Sequence, residues 1–287
     1  MESGVPSQVP SPAMEVRIWG ARGSVPTPKA ENLRVGGNTS CIDVMASTGE
    51  RVIFDAGTGI RNLGLAELQH ADKQHDLHIF LTHFHWDHLQ GLPFFTPLYS
   101  PDNIITFHSA CPSEHLRHVL SGQMTNPYFP VRFDLVAAAL NFEQIYGKAF
   151  RVGEMEIASF ALHHPGGACG YTIDTGGGRV VYGTDHEHGN AEADARLLAM
   201  SQGADVLIYD SQFTPEEYPS HVGWGHSTWL EATRVAAAAG VKQLVLFHHD
   251  PGHTDDEMFA ILEKARREFP NTSLAIEGMA IPVMARV

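Results

Sequence analysis

The chain has 287 residues, of which 43% are apolar and 18% are charged, as in an ordinary soluble globular protein. No run of about 18 uncharged apolar residues occurs, which argues against a membrane span. The formal net charge of −14 argues against binding of a long nucleic acid through its phosphates. Three widely spaced cysteines argue against a disulfide framework and predict a reducing, cytoplasmic location.

The first half of the chain has the pattern of short strands with two helices. The polar, Pro- and Ser-rich residues 1–14 predict a disordered leader or a remnant of cloning. β-rich runs that end in Gly or polar turn residues predict strands at 14–20, 41–47, 51–57, 77–83 and 103–110. Helical spacing of apolar residues predicts helices at 61–68 and 111–122.

The second half begins with a predicted aromatic loop at 124–134. Hairpins are predicted at 151–164 and 170–185, strands at 204–213, 242–250 and 272–283, and helices at 227–240 and 254–269. Ser227 is the predicted cap of the 227–240 helix, and Gly240 is its predicted stop. Because no linker separates the two halves, we expect one α/β domain over residues 15–287, with two sheets face to face and helices outside.

The stretch LTHFHWDHLQG, residues 81–91, contains four ligand-type side chains within six positions: His83, His85, Asp87 and His88. Imidazole and carboxylate are the usual ligands of Zn²⁺ and similar ions. In an extended strand end, His83 and His85 project to one side. Asp87 and His88 follow where the chain turns, so they can face a second ion. The alternative is a merely polar loop, but 18 histidines against 19 Lys plus Arg favour a metal site.

Further ligand-type residues stand at the ends of other predicted strands. They are His163 and His164, Asp185, and His248 and His249. Strands that all end in ligands at one edge of a sheet form a convergent site. On this pattern alone, either member of each histidine pair can be the ligand.

The sequence HFHWDH resembles the H-x-H-x-D-H motif of the metallo-β-lactamase superfamily, and later landmarks follow in the same order from about residue 15 onward. The resemblance implies a four-layer αβ/βα sandwich with a dinuclear site at one edge of the sheets. The ligands implied by motif position are His83, His85 and His164 for one ion, Asp87, His88 and His248 for the other, and Asp185 as the bridge. The implied cofactors are two divalent ions, Zn²⁺ first, with Mn²⁺ and Fe²⁺ as alternatives.

The choice within each histidine pair depends on its surroundings. In the phosphodiesterase branch, a ligand histidine precedes a Gly-Tyr pair by the interval at which His164 precedes Gly170–Tyr171. His248 directly ends its strand, whereas His249, one residue later, would point to the other face. His163 and His249 remain the alternatives.

Two more residues gain a role from the resemblance. Asp55, in FDAGTG, resembles the family's aspartate that orients the histidine loop, although a turn aspartate is the alternative. The sequence GWGHST, residues 223–228, resembles the His-Ser-Thr element of ribonuclease Z and its relatives, in which the histidine lies beside the scissile phosphate. His226 would therefore neutralise charge on the phosphorane or protonate the leaving oxygen. The alternative is a histidine that merely precedes a helix cap.

Ribonuclease Z itself fits poorly. It carries a long basic arm for transfer RNA between the third histidine and the bridging aspartate, whereas His164 and Asp185 are only 21 positions apart. With the charge of −14, this predicts a small phosphodiester substrate, cyclic nucleotides included. The expected reaction is attack on phosphorus by a hydroxide that bridges the two ions, with Asp87 as the residue that orients the nucleophile or carries its proton.

The aromatic loop supplies Tyr128, Phe129 and Phe133, which are predicted to stack on a base or, alternatively, to plug the sandwich. Cys169, between the third histidine and Gly170, is predicted to be a small buried thiol. Relatives of this kind are often homodimers, but the sequence carries no interface signal. Two other functions stay open: a metal-dependent hydrolase of thioesters, lactones or β-lactams, and a metal-bearing sensor that binds a ligand without turnover.

Overall fold

The structure, a computed structural model, describes residues 11–67 and 76–286, so most of the predicted leader, residues 1–10, lies outside the described residues. Fourteen strands in this part of the chain form two sheets of seven. The strands of the first sheet are β1 (Pro12–Gly20), β2 (Cys41–Ala46), β3 (Arg51–Phe54), β4 (Asp76–Phe80), β5 (Ile104–Ser109), β6 (Ala139–Gln144) and β14 (Ala280–Met284). Their order across the sheet is β14-β1-β2-β3-β4-β5-β6, and β3 to β6 run parallel.

The second sheet mirrors this arrangement. Its strands are β7 (Ala149–Val152), β8 (Met155–Leu162), β9 (Ala168–Asp174), β10 (Arg179–Gly183), β11 (Val206–Asp210), β12 (Gln243–Phe247) and β13 (Thr272–Leu274). Their order is β13-β12-β11-β10-β9-β8-β7, and β10 to β13 run parallel. Parallel strands are normally covered on both faces, which explains why β11 is buried along its whole length.

The helices cover the outer faces of the two sheets. They are α1 (Ile60–Glu67), α2 (Ser113–Gln123), α3 (Ala191–Ser201), α4 (Trp229–Ala239) and α5 (Asp255–Glu268). One apolar cluster fills the space between the sheets, a second packs α1 and α2 on the first sheet, and a third packs α3 to α5 on the second sheet. The layers are therefore helix, sheet, sheet, helix, which confirms the predicted α/β fold class and the four-layer sandwich.

Most predicted elements form near their predicted positions, and two were missed: β6 and α3. β6 is an edge strand that is half exposed along its length, so it lacks the apolar run that marks the buried strands. α3 has a weak apolar stripe, although Asn190 caps it by accepting a hydrogen bond from the Ala193 N–H.

The cap of α4 was predicted one residue too early. Thr228 is the cap, because its hydroxyl accepts from the Glu231 N–H at 3.1 Å. The Ser227 hydroxyl instead lies 2.9 Å from His188 Nδ1. The Ser227 backbone N–H donates to Asp210. The predicted stop is confirmed: Gly240 adopts φ +63°, a left-handed conformation that glycine accepts without strain.

Two predictions from composition also bear on the fold. The three cysteines are free thiols, and Cys169 is buried as predicted. Among the described helices, none combines the length and the apolar character that crossing a bilayer requires.

Candidate metal centre

Histidine and aspartate side chains converge at one edge of the two sheets. Four strands, β4, β8, β10 and β12, end at this edge, and the chain beyond each end carries the polar side chains. We call this set the donor cluster; its members are His83, His85, Asp87, His88, His164, Asp185 and His248. The structure thus brings together all seven residues that were predicted to bind metal.

The first half of the donor cluster contains three imidazoles. The ligand atoms of His83, His85 and His164 all lie within 4.8 Å of one another. His164 Nε2 is 3.0 Å from His85 Nδ1. Asp185 Oδ2 lies 3.6 Å from His83 Nε2 and 3.7 Å from His164 Nε2. Three nitrogens and one carboxylate oxygen therefore face a common point.

The second half contains Asp87, His88 and His248, which form another group of ligand atoms within 4.8 Å. His88 Nε2 and His248 Nε2 are 3.3 Å apart, and Asp87 Oδ2 is 3.2 Å from His248 Nε2. The second oxygen of Asp185, Oδ1, lies 3.2 Å from His88 Nε2 and 3.4 Å from His248 Nε2. Because its two oxygens face different halves, Asp185 is placed to bridge them.

The donor cluster fits two divalent cations by its own chemistry. His83 Nε2 is buried and has no hydrogen-bond partner in the part of the chain that the structure describes. Two pairs of imidazole nitrogens face each other at hydrogen-bond distance, an arrangement that a shared cation satisfies. Nitrogen and carboxylate donors are those expected for Zn²⁺ and similar ions.

The outer nitrogen of each buried histidine has its own partner, which fixes the ring so that the inner nitrogen points to the centre. The outer contacts are His83 Nδ1 to Thr82 Oγ1 at 3.0 Å, His88 Nδ1 to Asp55 Oδ2 at 2.9 Å, His164 Nδ1 to the Gly225 carbonyl at 2.8 Å, and His248 Nδ1 to Gln212 Oε1 at 2.9 Å. Such outer partners are typical of metal-binding histidines.

Asp55 orients the loop that carries the histidines, in the position expected from the sequence. It is fully buried and accepts hydrogen bonds from the Thr82 N–H and hydroxyl and from the Tyr182 hydroxyl, besides its contact with His88. Its carboxylate thereby ties Thr82, just after the end of β4, to the outer nitrogen of His88, so that Nε2 points to the centre of the donor cluster.

Backbone strain is concentrated at this edge. Among the described residues, the non-glycine residues with positive φ are Ser24, Asp55, Asp185 and His248, at 58° to 63°. Two are members of the donor cluster, and Asp55 contacts His88. Ser24 donates its N–H to Asp87 Oδ2 at 2.7 Å. Strain of this kind persists where the surroundings enforce it and is concentrated at functional sites.

The charges of the donor cluster favour a cation at its centre. Burial lowers the pKa of His83 well below its ordinary value and also lowers the pKa of His164, so these rings are neutral and keep a free lone pair. Burial also opposes charge on His248, but the carboxylates of Asp185, Asp87 and Asp210 together outweigh burial and raise the pKa of His248 to about 9. The buried carboxylates thus stabilise positive charge at the centre of the donor cluster, and bound divalent ions would provide that charge.

His226 lies beside the donor cluster and is held by a residue that the sequence analysis missed. Its Nδ1 is 2.8 Å from Asp210 Oδ2, and its ring stacks on that of His248 at 4.7 Å between centroids. Asp210, at the end of β11, also accepts from the N–H groups of Asp185 and Ser227. Its signal was present, because Asp210 ends a buried strand just as the cluster residues do.

Glu187 is a second missed residue. Its carboxylate accepts from the N–H groups of Gly223 and Gly225, at 2.6 and 2.8 Å, and from the Tyr218 hydroxyl. It therefore holds the loop that precedes His226. Nothing in the local sequence marks this carboxylate, since its partners are about 36 residues away.

The alternative histidines of each pair are turned away from the donor cluster. His163 Nδ1 contacts the Glu187 carbonyl at 3.0 Å, and His249 Nε2 contacts the Ala275 carbonyl at 2.9 Å. Burial lowers the pKa of His249 to about 3, so this ring is a neutral, internal group. The geometry favours His164 and His248.

The three predicted aromatic residues differ in burial: Tyr128 lies at the surface, and Phe133 lies in the core. Tyr128 is 76% exposed and lines a cavity beside the HFHWDH segment, and Phe129 packs edge-on against Phe94. Phe133 is only 2% exposed and packs against Phe107 and Phe142 in the core. Phe133 is therefore a core residue that packs against β5 and β6, which favours the alternative of a hydrophobic plug for this ring.

A four-layer sandwich with a His/Asp donor cluster at one edge defines a metal-dependent hydrolase. Residues 50–249, more than half of the chain, match the family described as Beta-lactamase superfamily domain, so the chain belongs to the β-lactamase superfamily. This membership confirms the predicted family and the prediction of an enzyme, and the fold implies divalent metal ions.

Relatives and solved structures agree with this assignment. Ribonuclease Z of Lacticaseibacillus casei (strain BL23) is 25% identical over 314 aligned residues, which cover 94% of this chain and 96% of the relative. The metallo-β-lactamase fold protein YhfI from Bacillus subtilis superimposes with a TM-score of 0.69 at 19% identity, covering 93% of this chain and 98% of that one. A diphosphatase from the PhnP family gives 0.68 at 18% identity, covering 95% and 100%.

Proposed function

We propose that the protein is a phosphodiesterase that uses two divalent ions to hydrolyse small phosphodiesters, cyclic nucleotides among them. The observation that carries the proposal is the two-sided Asp185 carboxylate between two sets of donors, with the Asp210–His226 pair beside it. The first set, His83, His85 and His164, would hold one ion, and the second set, Asp87, His88 and His248, would hold the other. Zn²⁺ is the first candidate for both positions, with Mn²⁺ and Fe²⁺ next.

Bound ions would neutralise charge on the phosphoryl oxygens and lower the pKa of water so that hydroxide forms at neutral pH. His226 would supply a proton donor beside the ions. Since its Nδ1 is hydrogen-bonded to Asp210, its Nε2 is left to contact the phosphoryl group or to protonate the leaving oxygen.

Asp87 has a second role in the proposal besides ligation. Burial would raise the pKa of Asp87, but His88 and His248 outweigh burial and lower it well below its ordinary range, so the group is ionised. The Ser24 N–H fixes Oδ2 at 2.7 Å, so the carboxylate is held rigidly while it orients the attacking water.

The net charge of the protein and the short connection between His164 and Asp185 both favour a small substrate over RNA. The net charge of −14 opposes a surface that tracks many phosphates. The connection between His164 and Asp185 is only the antiparallel pair β9 and β10, joined by a short turn. RNA is the second candidate, because a relative named ribonuclease Z matches nearly the full chain.

A substrate panel tests the proposal. Metal-free protein is reloaded with Zn²⁺, its metal content is measured, and it is assayed with cyclic nucleotides, dinucleotides, a chromogenic phosphodiester, precursor transfer RNA, a thioester, a lactone and a β-lactam. We expect turnover of small phosphodiesters that a chelator abolishes. Turnover restricted to RNA would establish the second candidate, and turnover restricted to the thioester, lactone or β-lactam would overturn phosphodiester chemistry. Saturable nucleotide binding without product over hours would indicate a sensor.

A further inference from the structure

A cavity of about 320 Å³ lies beside the donor cluster, between the HFHWDH segment and the last turn of α2. We call it the aromatic cavity. Its walls are formed by the aromatic and apolar residues Phe84, Trp86, Leu89, Val119, Gly122 and Tyr128, together with one polar residue, Gln123, whose amide donates to the Leu89 carbonyl. Its volume is at the lower end of the roughly 300–1,000 Å³ range of small-molecule sites. The proposed function assigns nothing to it.

The aromatic cavity shares a wall with the donor cluster. The rings of His83 and His85 lie side by side, with their centroids 4.5 Å apart. Phe84 and Trp86, which alternate with them along the chain, line the aromatic cavity. The donor cluster and the aromatic cavity therefore flank the same short segment of backbone.

The rings that border the aromatic cavity are unusually exposed. Trp86 is 70% exposed and Tyr128 is 76% exposed. Phe94, which packs edge-on against Phe129, the residue next to Tyr128 in the chain, is 57% exposed. Exposed apolar groups collected in one place mark a binding site more often than chance. None of the described residues that line the aromatic cavity carries a charge. Aromatic walls without charge suit a flat, uncharged group and do not suit a second phosphate.

We propose that the aromatic cavity binds a planar, uncharged substituent of the phosphodiester, such as a nucleobase or an aryl group. The inference rests on the proposed function, since it places the phosphoryl group at the donor cluster. It makes the substrate class a diester with at least one aromatic substituent. Stacking on Trp86 and Tyr128 is then the main source of selectivity among diesters.

Gly122 offers a way to fill the aromatic cavity. It lies within α2, lines the cavity, and a Cβ built on it would meet no atom within 4 Å. A larger side chain can therefore enter without displacing backbone. Phenylalanine also has a higher helix propensity than glycine, so Gly122→Phe is expected to fold.

The test compares two esters with the same leaving group, phenyl p-nitrophenyl phosphate and methyl p-nitrophenyl phosphate. We measure the ratio of their kcat/KM values on the metal-loaded, full-length protein. The expected ratio is about tenfold or more in favour of the phenyl ester, as stacking energies imply. Trp86→Ala and Gly122→Phe should each bring the ratio toward one. Leu135→Ala, an exposed apolar residue that does not line the cavity, should leave it unchanged.

A binding measurement separates this inference from the proposed function. Phenyl phosphate and methyl phosphate are titrated into the same metal-loaded variants by calorimetry, and the affinities should show the same preference and the same losses. Absence of turnover together with the binding preference would overturn the phosphodiesterase proposal but keep the aromatic cavity. Turnover with a ratio near one, or with a ratio that neither variant alters, would overturn the inference. A changed sedimentation coefficient with unaltered ratios would instead assign the aromatic cavity to contact between two copies of the chain, and would also overturn it.

Discussion

Two groups of histidines lie at different places in the same two sheets and have different surroundings. The donor cluster stands beyond the strand ends among the carboxylates of Asp87 and Asp185. The histidine pair, His78 and His108, stands inside β4 and β5, where His78 Nδ1 is 3.0 Å from His108 Nε2. The His108 ring stacks on Phe80 at 4.2 Å and meets Phe150 at 4.4 Å.

The surroundings decide the chemistry of each group. Burial lowers the pKa of both members of the histidine pair, that of His108 to about 3, so both rings are neutral, His108 in the core and His78 half-buried beside it. In the donor cluster the carboxylates counteract burial, and outer partners fix the rings. A histidine is thus a ligand candidate when buried carboxylates face one nitrogen and a hydrogen-bond partner holds the other; the carboxylate beside His78, that of Asp76, is exposed to solvent.

The largest expected effect comes from removing the bridge. Asp185→Asn should lower kcat/KM for a phosphodiester by about 10³-fold, comparable to the loss of a key electrostatic group, and leave fewer than two ions per chain. Elemental analysis and steady-state kinetics measure both. His163→Ala is the matched control: its ring is turned away, so two ions should remain. Two bound ions and full activity in Asp185→Asn would show that the Asp185 carboxylate is not what makes the donor cluster, unlike the histidine pair, a metal site.

Removing His226 should separate proton transfer from metal binding. His226→Ala should reduce turnover of a dinucleotide, which has a poor leaving group, by about 10²-fold or more. A p-nitrophenyl ester should be affected much less, because p-nitrophenolate leaves without a proton. Kinetics on both esters with metal analysis checks this. Equal losses for the two esters would assign His226 to the phosphoryl group and rule out proton transfer, and loss of an ion would contradict both roles.

Asp55 tests the contribution of the outer partners. Asp55→Asn should weaken metal binding by about 10- to 100-fold, because His88 loses the carboxylate that orients it. Chelator competition measures the affinity. Unchanged affinity would mean that the backbone alone positions His88.

The smallest expected effect concerns the histidine pair and stability. Folding lowers the pKa of His108 from about 6.5 to about 3, so between these values the unfolded chain binds a proton that the folded protein does not. The free energy of unfolding is therefore highest above pH 6.5 and decreases as the pH falls toward 3. For His108 the loss between pH 7 and pH 5 should be about 2 kcal/mol.

His108→Gln keeps a hydrogen-bonding group for His78 but does not titrate. The free energy of unfolding of the metal-free variant, measured in urea at pH 7 and pH 5, should therefore fall by about 2 kcal/mol less than that of the parent protein. Metal binding by the loaded variant should be unaffected. An identical acid loss in both proteins would show that His108 is not the acid-sensitive group.

Much of this architecture could be read from the sequence, because buried parallel strands are apolar runs and their ends carry the ligands. The runs before His83, Asp185 and His248 gave both the strands and the edge at which they end. β6 was missed because an edge strand need not be apolar. The cap of α4 is Thr228 and not Ser227 because the Ser227 hydroxyl contacts His188, a residue 39 positions away.

The rest depended on contacts between distant segments. Glu187 becomes recognisable only when the fold brings the loop before His226 to its carboxylate, whereas Asp210 could have been predicted from its place at the end of β11. Phe133 reads like Tyr128 in the sequence, but the fold turns one ring into the core and the other to the surface. Residue type and periodicity cannot distinguish these cases, because burial is decided by the neighbouring strand.

The most direct test of a two-ion hydrolase is a titration of metal-free protein with Zn²⁺, in which bound metal and turnover of a chromogenic phosphodiester are followed together. We predict that two equivalents bind and that turnover rises mainly with the second, since Asp185 must face both ions. Turnover that is complete after one equivalent, or two bound equivalents without turnover of any phosphodiester, would contradict the account.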